Sequence, residues 1–589
     1  MINVMEQSTG SATRQKLLVW LVFTGILFSY ALLILPTVDR LGIGWDEATD
    51  MVITDAYQSP QGMLLGSTWD PSQTRLPMFT VAVLFHLLGE NNLQTARFTS
   101  VLIGGLTLLG VFIYGKDRFG STTGLLAAGL LAINPFFLAF ARQAFTESDI
   151  FLAGTLIWLL VSLSRLQEKP SLGWAVLSGI LLSLSISSKA TAIIILPAAC
   201  LSFLLNQTFP QKSDTGHGFN NSNLVPARSV LFWTAWAFSF LLVGVLISRR
   251  LNIGAYPGSL HFANYSLVFL GWMIMLGWAV RYRNFTASPV ALTAYIAGWS
   301  LFTFVIFPPE HLANSSIIAE LISRADKEMT FSPAFLVELL ALHTFAIFFK
   351  STPVLGLGLL GGLFLGLTQW KRRELTLPLL VVMAYFSFLL LLPLGQTFYT
   401  IPILSILSLL AADQFMSLYQ KRRVISLVLV FLGLIWWGVE MKQCYPDYHL
   451  NGYQWLGARP FSGRSSVGYR SIVFTPADGV QQSMEWLNAH AKAGQTALLY
   501  VEPWHIVKVM APDPVYKLTD GRTASLSSKA DYIVIHIGSV IWQGVGNDTP
   551  QGSIYRYPFD VDILQREYEQ VFSVRRAFGL EMASIWRKK

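Results

Sequence analysis

Three groups of residues in this chain have the types and spacing to do chemistry. The first is Gly42-Ile43-Gly44-Trp45-Asp46-Glu47-Ala48-Thr49-Asp50, where the carboxylates Asp46, Glu47 and Asp50 crowd within about one helical turn. Asp46 ahead of Glu47-Ala48-Thr49 is a good helix N-cap, and Glu47 is favoured there by the helix dipole. Capping and catalysis are compatible, because a carboxylate at the positive end of a helix stays ionised and can accept a proton. The second group is Arg142-Gln143-Ala144-Phe145-Thr146-Glu147-Ser148-Asp149. Taken alone, Glu147 or Asp149 caps the apolar run that begins there, and Arg142 meets lipid headgroups. The third group is a set of isolated cations: Arg75, Arg97, Lys189, Arg249, Arg250 and Lys350. Each by itself can snorkel to headgroups. Taken together they form a basic surround for an anionic group, for which phosphate is the natural match.

These residues are carried by a greasy chain. Of its 589 residues 53% are hydrophobic and 13% charged, and the mean hydropathy is +0.49. A soluble domain cannot hide that much apolar surface, so most of it faces lipid. The net charge of +8 would suggest nucleic acid in a soluble protein. Here the basic residues flank apolar runs instead, as the positive-inside rule has it, and no aromatic–basic interleaving accompanies them. No nucleic-acid partner is expected. Cys200 and Cys444 lie in or just after apolar runs, which gives no reason to expect a disulfide. His86, His261, His311 and His343 have no ligand spacing such as His-x-x-x-His, so neither metal nor cofactor is expected.

Span-length runs lie near 17–36, 96–115, 121–140, 149–165, 172–187, 190–206, 229–248, 264–280, 289–307, 353–370, 376–394, 400–418 and 424–441. About thirteen transmembrane helices result, some at the short limit. With the N-terminus in the cytoplasm, Lys116 and Arg118, Arg165 and Lys169, Arg281 and Arg283, Lys371-Arg372-Arg373 and Lys421-Arg422-Arg423 all fall inside. The first run is span-length with no small-residue cleavage site after it, and reads as an uncleaved anchor. This threading makes residues 1–441 a transmembrane domain with extracytoplasmic loops at 37–95, 141–148 and 308–352. Residues 442–589 form an extracytoplasmic α/β domain. Leu76–Gly89 and Phe335–Lys350 are apolar but too short or too polar for spans, and read as interfacial helices. In the C-terminal domain an amphipathic helix is expected at 478–493. Strands are expected at 496–501 and 532–537, with weaker candidates at 567–574 and 582–586.

In this layout the residues resemble the polyprenyl-phosphate-sugar glycosyltransferases, which include protein O-mannosyltransferases and lipid A aminoarabinose transferases. The likeness covers roughly residues 15–460. The family's acidic pair, basic-Pro stretch, Gly and downstream Arg resemble Asp46-Glu47, Arg75-Leu76-Pro77, Gly89 and Arg97, although members often carry Lys-Pro-Pro at the second place. Its second-loop Arg and acid resemble Arg142 and Glu147, its Lys-Thr-Pro resembles Lys350-Ser351-Thr352-Pro353, and its His-Pro-Tyr-Tyr resembles Tyr445-Pro446-Asp447-Tyr448.

The resemblance implies a C-type glycosyltransferase fold at a prokaryotic plasma membrane and a polyprenyl-phosphate sugar donor. The acceptor would be a glycan, lipid or protein. Phosphate is a tolerable leaving group, so the chemistry needs a base for the acceptor and cations for the phosphate. Asp46 would be the base, Glu47 its support, and Glu147 an orienting group. Arg75, Lys189 and Lys350, with Arg249 or Arg250, would hold the phosphate, and Arg97, Arg142 and Asp149 would complete the site. The competing reading is a lipid or solute transporter. A transporter would place ionisable residues near the middle of discontinuous spans, whereas here charge gathers in the outer loops.

Overall fold

The computed structural model describes residues 2–40, 47, 75–90, 92–144, 149–168, 172–195, 198–199, 202, 333–370, 372–391, 397–448, 479–501, 507, 514–520, 530–536, 561–576 and 581–589. The spans expected at 229–248, 264–280 and 289–307 lie outside these residues. Among the described residues, five helices are long and apolar enough to cross a membrane, or six if one bent pair counts as a span. This is the architecture of a multi-pass membrane protein.

Helix α1 (Ile2–Ile34) continues into a 3-10 turn, Leu35–Arg40. The apolar stretch predicted to lie at the interface is α2 (Arg75–Leu88). Next comes α3 (Leu93–Phe119), capped by Asn92, whose side chain accepts from Thr95 N at 2.8 Å. It ends at Gly120, whose φ of 98° favours glycine.

The run predicted as one span at 121–140 is two helices, α4 (Ser121–Ala132) and α5 (Pro135–Ala141), bent by 67°. The cause is Pro135, which lacks an N–H and whose ring opposes the preceding turn. The break is chemically satisfied. Asn134 Oδ1 accepts from Phe136 N at 2.9 Å, and Trp437 Nε1 donates to Ile133 O at 2.9 Å. Helices α6 (Asp149–Glu168) and α7 (Leu172–Ser188) follow, and a 3-10 turn, Ala190–Ile194, stands where the span at 190–206 was expected to begin.

The second predicted interfacial segment is α8 (Pro333–Phe345), closed by a π-turn at Ala346–Lys350. Then come α9 (Pro353–Thr368), α10 (Arg373–Leu391), a 3-10 turn at Thr397–Thr400, α11 (Ile401–Lys421) and α12 (Arg423–Cys444).

Among the described residues, α6 and α11 are the most enclosed of the long apolar helices, with 83% and 78% of their apolar windows buried, whereas only 17% of the α12 window is. Helix α12 turns Val424, Phe431 and Ile435 outward, as a lipid-facing helix does. Close packing rests on small residues. A Cβ on Gly362 would stand 2.5 Å from Ala411 Cα, and one on Gly115 would stand 2.6 Å from Gly124 Cα. Gly362→Leu is therefore expected to lower stability by about 1–3 kcal/mol through overpacking. Gly361→Leu, where a Cβ meets nothing within 4 Å, should be neutral or slightly stabilising. Unfolding midpoints in detergent compare them, and equal midpoints would contradict this packing.

The two ends of the bundle are chemically distinct. At one end α3 and α6 meet through Arg118–Glu168 and Arg165–Asp117, both at 2.7 Å, so the basic clusters of those two helices lie together. The opposite ends of these helices carry Arg97 and Asp149.

After α12 come α13 (Val480–His490), β1 (Thr496–Tyr500), β2 (Lys517–Asp520), β3 (Tyr532–His536), α14 (Val561–Glu567), β4 (Tyr568–Arg575) and β5 (Glu581–Lys588). They form a five-stranded sheet of order β2-β1-β3-β5-β4, parallel across β2-β1-β3 and antiparallel beyond. Met484 and Leu487 of α13 pack with Leu499, Val534 and Ile585. Strand β2 (KLTD) was not anticipated, because four half-polar residues carry no period. Leu93, at the start of α3, packs both on this sheet domain and on the cluster of Met78, Val81 and Phe85. It joins the C-terminal domain to the base of the first loop.

Candidate active site

The turn after α1, the head of α3 and the end of α5 converge on one carboxylate. Glu47 is buried, and Arg97 grips it with both arms of the guanidinium. Nε donates to Oε1 at 2.8 Å and Nη2 to Oε2 at 2.7 Å. The third arm, Nη1, donates to Val38 O at 2.7 Å in the turn after α1. Glu47 Oε1 also accepts from Ala144 N at 2.7 Å. One carboxylate thus fixes the turn after α1, the head of α3 and the start of the second loop. A bidentate Arg–carboxylate pair is the strong, directional form of this contact. Asp46 lies outside the described residues. Covalent geometry keeps its Cα about 3.8 Å from that of Glu47.

Two cations read as isolated have carboxylate partners, which corrects that reading. Arg97 holds Glu47. Lys189, in the turn after α7, donates to Asp149 Oδ2 at 2.7 Å. The reason is burial: Arg97, Lys189 and both acids are almost wholly enclosed, and a lone charge there would be costly. Lys189 Nζ also stands 3.9 Å from the Tyr399 ring centroid. Thr191 and Tyr385 join hydroxyls beside it at 3.5 Å. Lys189→Met alone is expected to cost about 3–5 kcal/mol by stranding Asp149. Adding Asp149→Asn should recover most of that loss. A double variant no more stable than the single one would show that the pair is not what holds these ends.

The Lys350-Ser351-Thr352-Pro353 stretch lies against the break between α4 and α5. Asn134 Nδ2 donates to Ser351 Oγ at 3.0 Å, and Lys350 Nζ is 5.8 Å from the Phe136 ring centroid. Thr352 has φ 71°, a left-handed conformation that a β-branched residue rarely adopts. Its hydroxyl caps α9 through Leu355 N.

Arg142, fully buried, donates from Nη1 to Pro446 O at 2.6 Å. Its guanidinium carbon lies 5.0 Å from the Tyr448 ring centroid, and Tyr448 OH donates to Leu33 O at 2.8 Å. Phe136 lies in the first turn of α5 and Arg142 is the residue that closes that helix, so the Lys350 contact and Arg142 stand at its two ends.

Residues 74–233 match the family of dolichyl-phosphate-mannose-protein mannosyltransferases. The matched segment holds Arg75, Arg97, Arg142, Asp149 and Lys189, and the family is among those that the sequence resembles. No curated protein matches the chain. Among solved structures, an oligosaccharyltransferase from Archaeoglobus fulgidus tethered to an acceptor peptide is similar at 11% identity and TM-score 0.48. That likeness covers 95% of this chain and 79% of that one. The oligosaccharyltransferase AglB from the same organism, in complex with an inhibitory peptide and a dolichol-phosphate, shares 13% identity at TM-score 0.46, over 98% of this chain and 74% of that one. ArnT from Cupriavidus metallidurans, bound to undecaprenyl phosphate, shares 13% identity at TM-score 0.44, over 98% of both chains.

The structure brings Glu47 together with Arg97, Asp149 with Lys189, and Arg142 with the segment after α12. Arg75 opens α2. Glu147, Arg249 and Arg250, like Asp46, lie outside the described residues. Asn134, Tyr399 and Tyr385 were not anticipated. Each is a polar residue inside an apolar run, a signal that the chain repeats too often to single them out.

Proposed function

We propose that this chain is an integral membrane glycosyltransferase that moves a sugar from a polyprenyl-phosphate donor to an acceptor hydroxyl or phosphate at the extracytoplasmic face. One observation carries the reading. Glu47 is locked by Arg97 and Ala144 N where two loops meet, and Asp46 is its neighbour in the chain. The match of residues 74–233 to a family of lipid-phosphate-sugar transferases supports it. So does the confinement of ionisable residues in α3 and α6 to the two ends of those helices, which favours chemistry at a membrane face over transport.

In the reaction the acceptor oxygen attacks the anomeric carbon, and where that oxygen is a hydroxyl Asp46 takes its proton. The bond from that carbon to the phosphate oxygen breaks, and the polyprenyl phosphate leaves with the electron pair. Attack opposite the leaving group inverts the anomeric centre. Lys350, with Arg75 and Arg249 or Arg250, faces the developing phosphate charge, and Lys189 contributes through its pair with Asp149. Glu147 orients the acceptor. The lipid tail lies between spans, with α8 and its π-turn as a gate. The domain at 442–589 stands over the site.

The test is release of polyprenyl phosphate from a labelled donor in liposomes that hold the purified chain and a panel of acceptors. Acceptor-dependent release is expected, and glycan and lipid profiles of a strain lacking the chain would name the sugar. Movement of the intact lipid between leaflets without release would favour the transporter.

The threading has its own check. In a Cys200→Ser, Cys444→Ser background, cysteines at Ser465 and Ser525 should react with an impermeant thiol reagent from outside, and one at Glu374 should not. Labelling of all three from one side would exclude this topology.

A further inference from the structure

The contacts of Arg142 and Tyr448 close a ring that the proposed reaction does not itself use. Starting from Leu33 in the last turn of α1, its carbonyl accepts from Tyr448 OH at 2.8 Å. The Tyr448 ring packs under the Arg142 guanidinium at 5.0 Å, and Arg142 Nη1 also donates to Pro446 O at 2.6 Å. Two residues along the chain, Ala144 N donates to Glu47 Oε1 at 2.7 Å. Glu47 is held by Arg97, whose remaining arm donates to Val38 O at 2.7 Å. Leu33 and Val38 are five residues apart, so the circuit begins on the last turn of α1 and ends on the 3-10 turn that follows it. Each side chain in it is buried, with Tyr448 1% and Arg142 0% exposed. Held in a water-poor setting, such bonds are directional and expensive to leave unmade.

We infer that Arg142 and Tyr448 are positioning residues, through which the segment leading from the last span toward the C-terminal domain sets the loop that carries Asp46. The inference rests on the reading of Asp46 as base. Residues 445–448 are the first chain beyond α12. Any shift of that segment, such as one made when the C-terminal domain engages an acceptor, passes through Tyr448 to Leu33 and through Arg142 to Ala144 and Glu47. Neither residue touches the reacting atoms in this scheme. Their effect is on where the base stands, and a misplacement of about 1 Å in a catalytic group can cost on the order of 100-fold in rate.

The experiment uses the full chain in nanodiscs, with Tyr448→Phe, Tyr448→Leu and Arg142→Lys compared with the unaltered protein. Tyr448→Phe keeps the ring under Arg142 and removes only the bond to Leu33, and its conserved shape lets it fold. Tyr448→Leu removes both contacts. Arg142→Lys keeps the charge but loses the flat fork that stacks and donates at once. Expected are falls in kcat of roughly 10- to 100-fold for Tyr448→Leu and Arg142→Lys, a smaller fall for Tyr448→Phe, and little change in KM for the donor.

Hydrogen exchange read by mass spectrometry gives a second readout independent of turnover. Peptides covering 33–47 and 142–144 should exchange faster in Tyr448→Leu, while those of the sheet at 496–500 and 532–536 should not. Faster exchange with normal kcat would overturn the inference, as would normal exchange throughout. Should Asp46→Asn turn over normally, the base assignment fails while the exchange result still stands. The two failures are therefore distinguishable.

Discussion

Glu47→Gln is expected to lower stability by about 3–5 kcal/mol, the cost of leaving a buried guanidinium without its counter-charge. Arg97 is enclosed on all sides, and three of its donors already have acceptors, two of them on Glu47. Gln would still offer an oxygen to Ala144 N, but its amide nitrogen would face the guanidinium donor to donor. Arg97→Met should cost a similar amount by stranding the carboxylate. The double variant Glu47→Leu, Arg97→Met is expected to recover much of the loss, since an apolar pair of similar volume often replaces a buried ion pair without penalty. Unfolding midpoints of the four proteins in detergent form a double-mutant cycle. Losses that add would show that the two residues act separately, and no loss in either single variant would show that the pair does not brace the bundle. The recovered double variant should still turn over slowly, because the apolar pair has no acceptor for Ala144 N and no donor for Val38 O.

The sequence pointed to Glu47 but not to the residue that holds it. Beside Asp46 it read as a second member of an acidic cluster supported by a helix dipole. Its partner is fifty residues away on α3, and nothing in local spacing announces which cation reaches it. Lys189 and Asp149 repeat the point: each was singled out, on different grounds, and only the packing of α6 against α7 reveals that they belong to one another. Arg142 was noticed for its place before an acid, whereas its contacts run to Pro446 and Tyr448, some three hundred residues on. Apolar runs, by contrast, were legible because lipid imposes length and hydropathy on every span. Where that failed, at 121–140, Pro135 and Asn134 were the missed sign, since a capping Asn before Pro starts a helix and cannot continue one. In the C-terminal domain α13 and strands β1, β3, β4 and β5 followed from period and β-propensity. Strand β2 and helix α14 were too short to carry either.

Asp46→Asn separates the two roles of Asp46, cap and base. Asn and Asp cap helices about equally, so the variant should fold, insert and bind donor as the unaltered protein does. An amide cannot take the acceptor's proton near neutral pH, and loss of a general base typically costs about 10²–10⁴-fold in rate. Glu47→Gln, corrected for its folded fraction, should retain more turnover than Asp46→Asn, because Glu47 braces the loop and leaves the proton to its neighbour. The decisive measurement is transfer of sugar from a polyprenyl-phosphate donor to acceptor in liposomes, per folded molecule of Asp46→Asn. Turnover at or below about one hundredth of normal, with donor binding intact, is the expected result. Near-normal turnover would remove Asp46 from the chemistry and leave it as the cap of a helix.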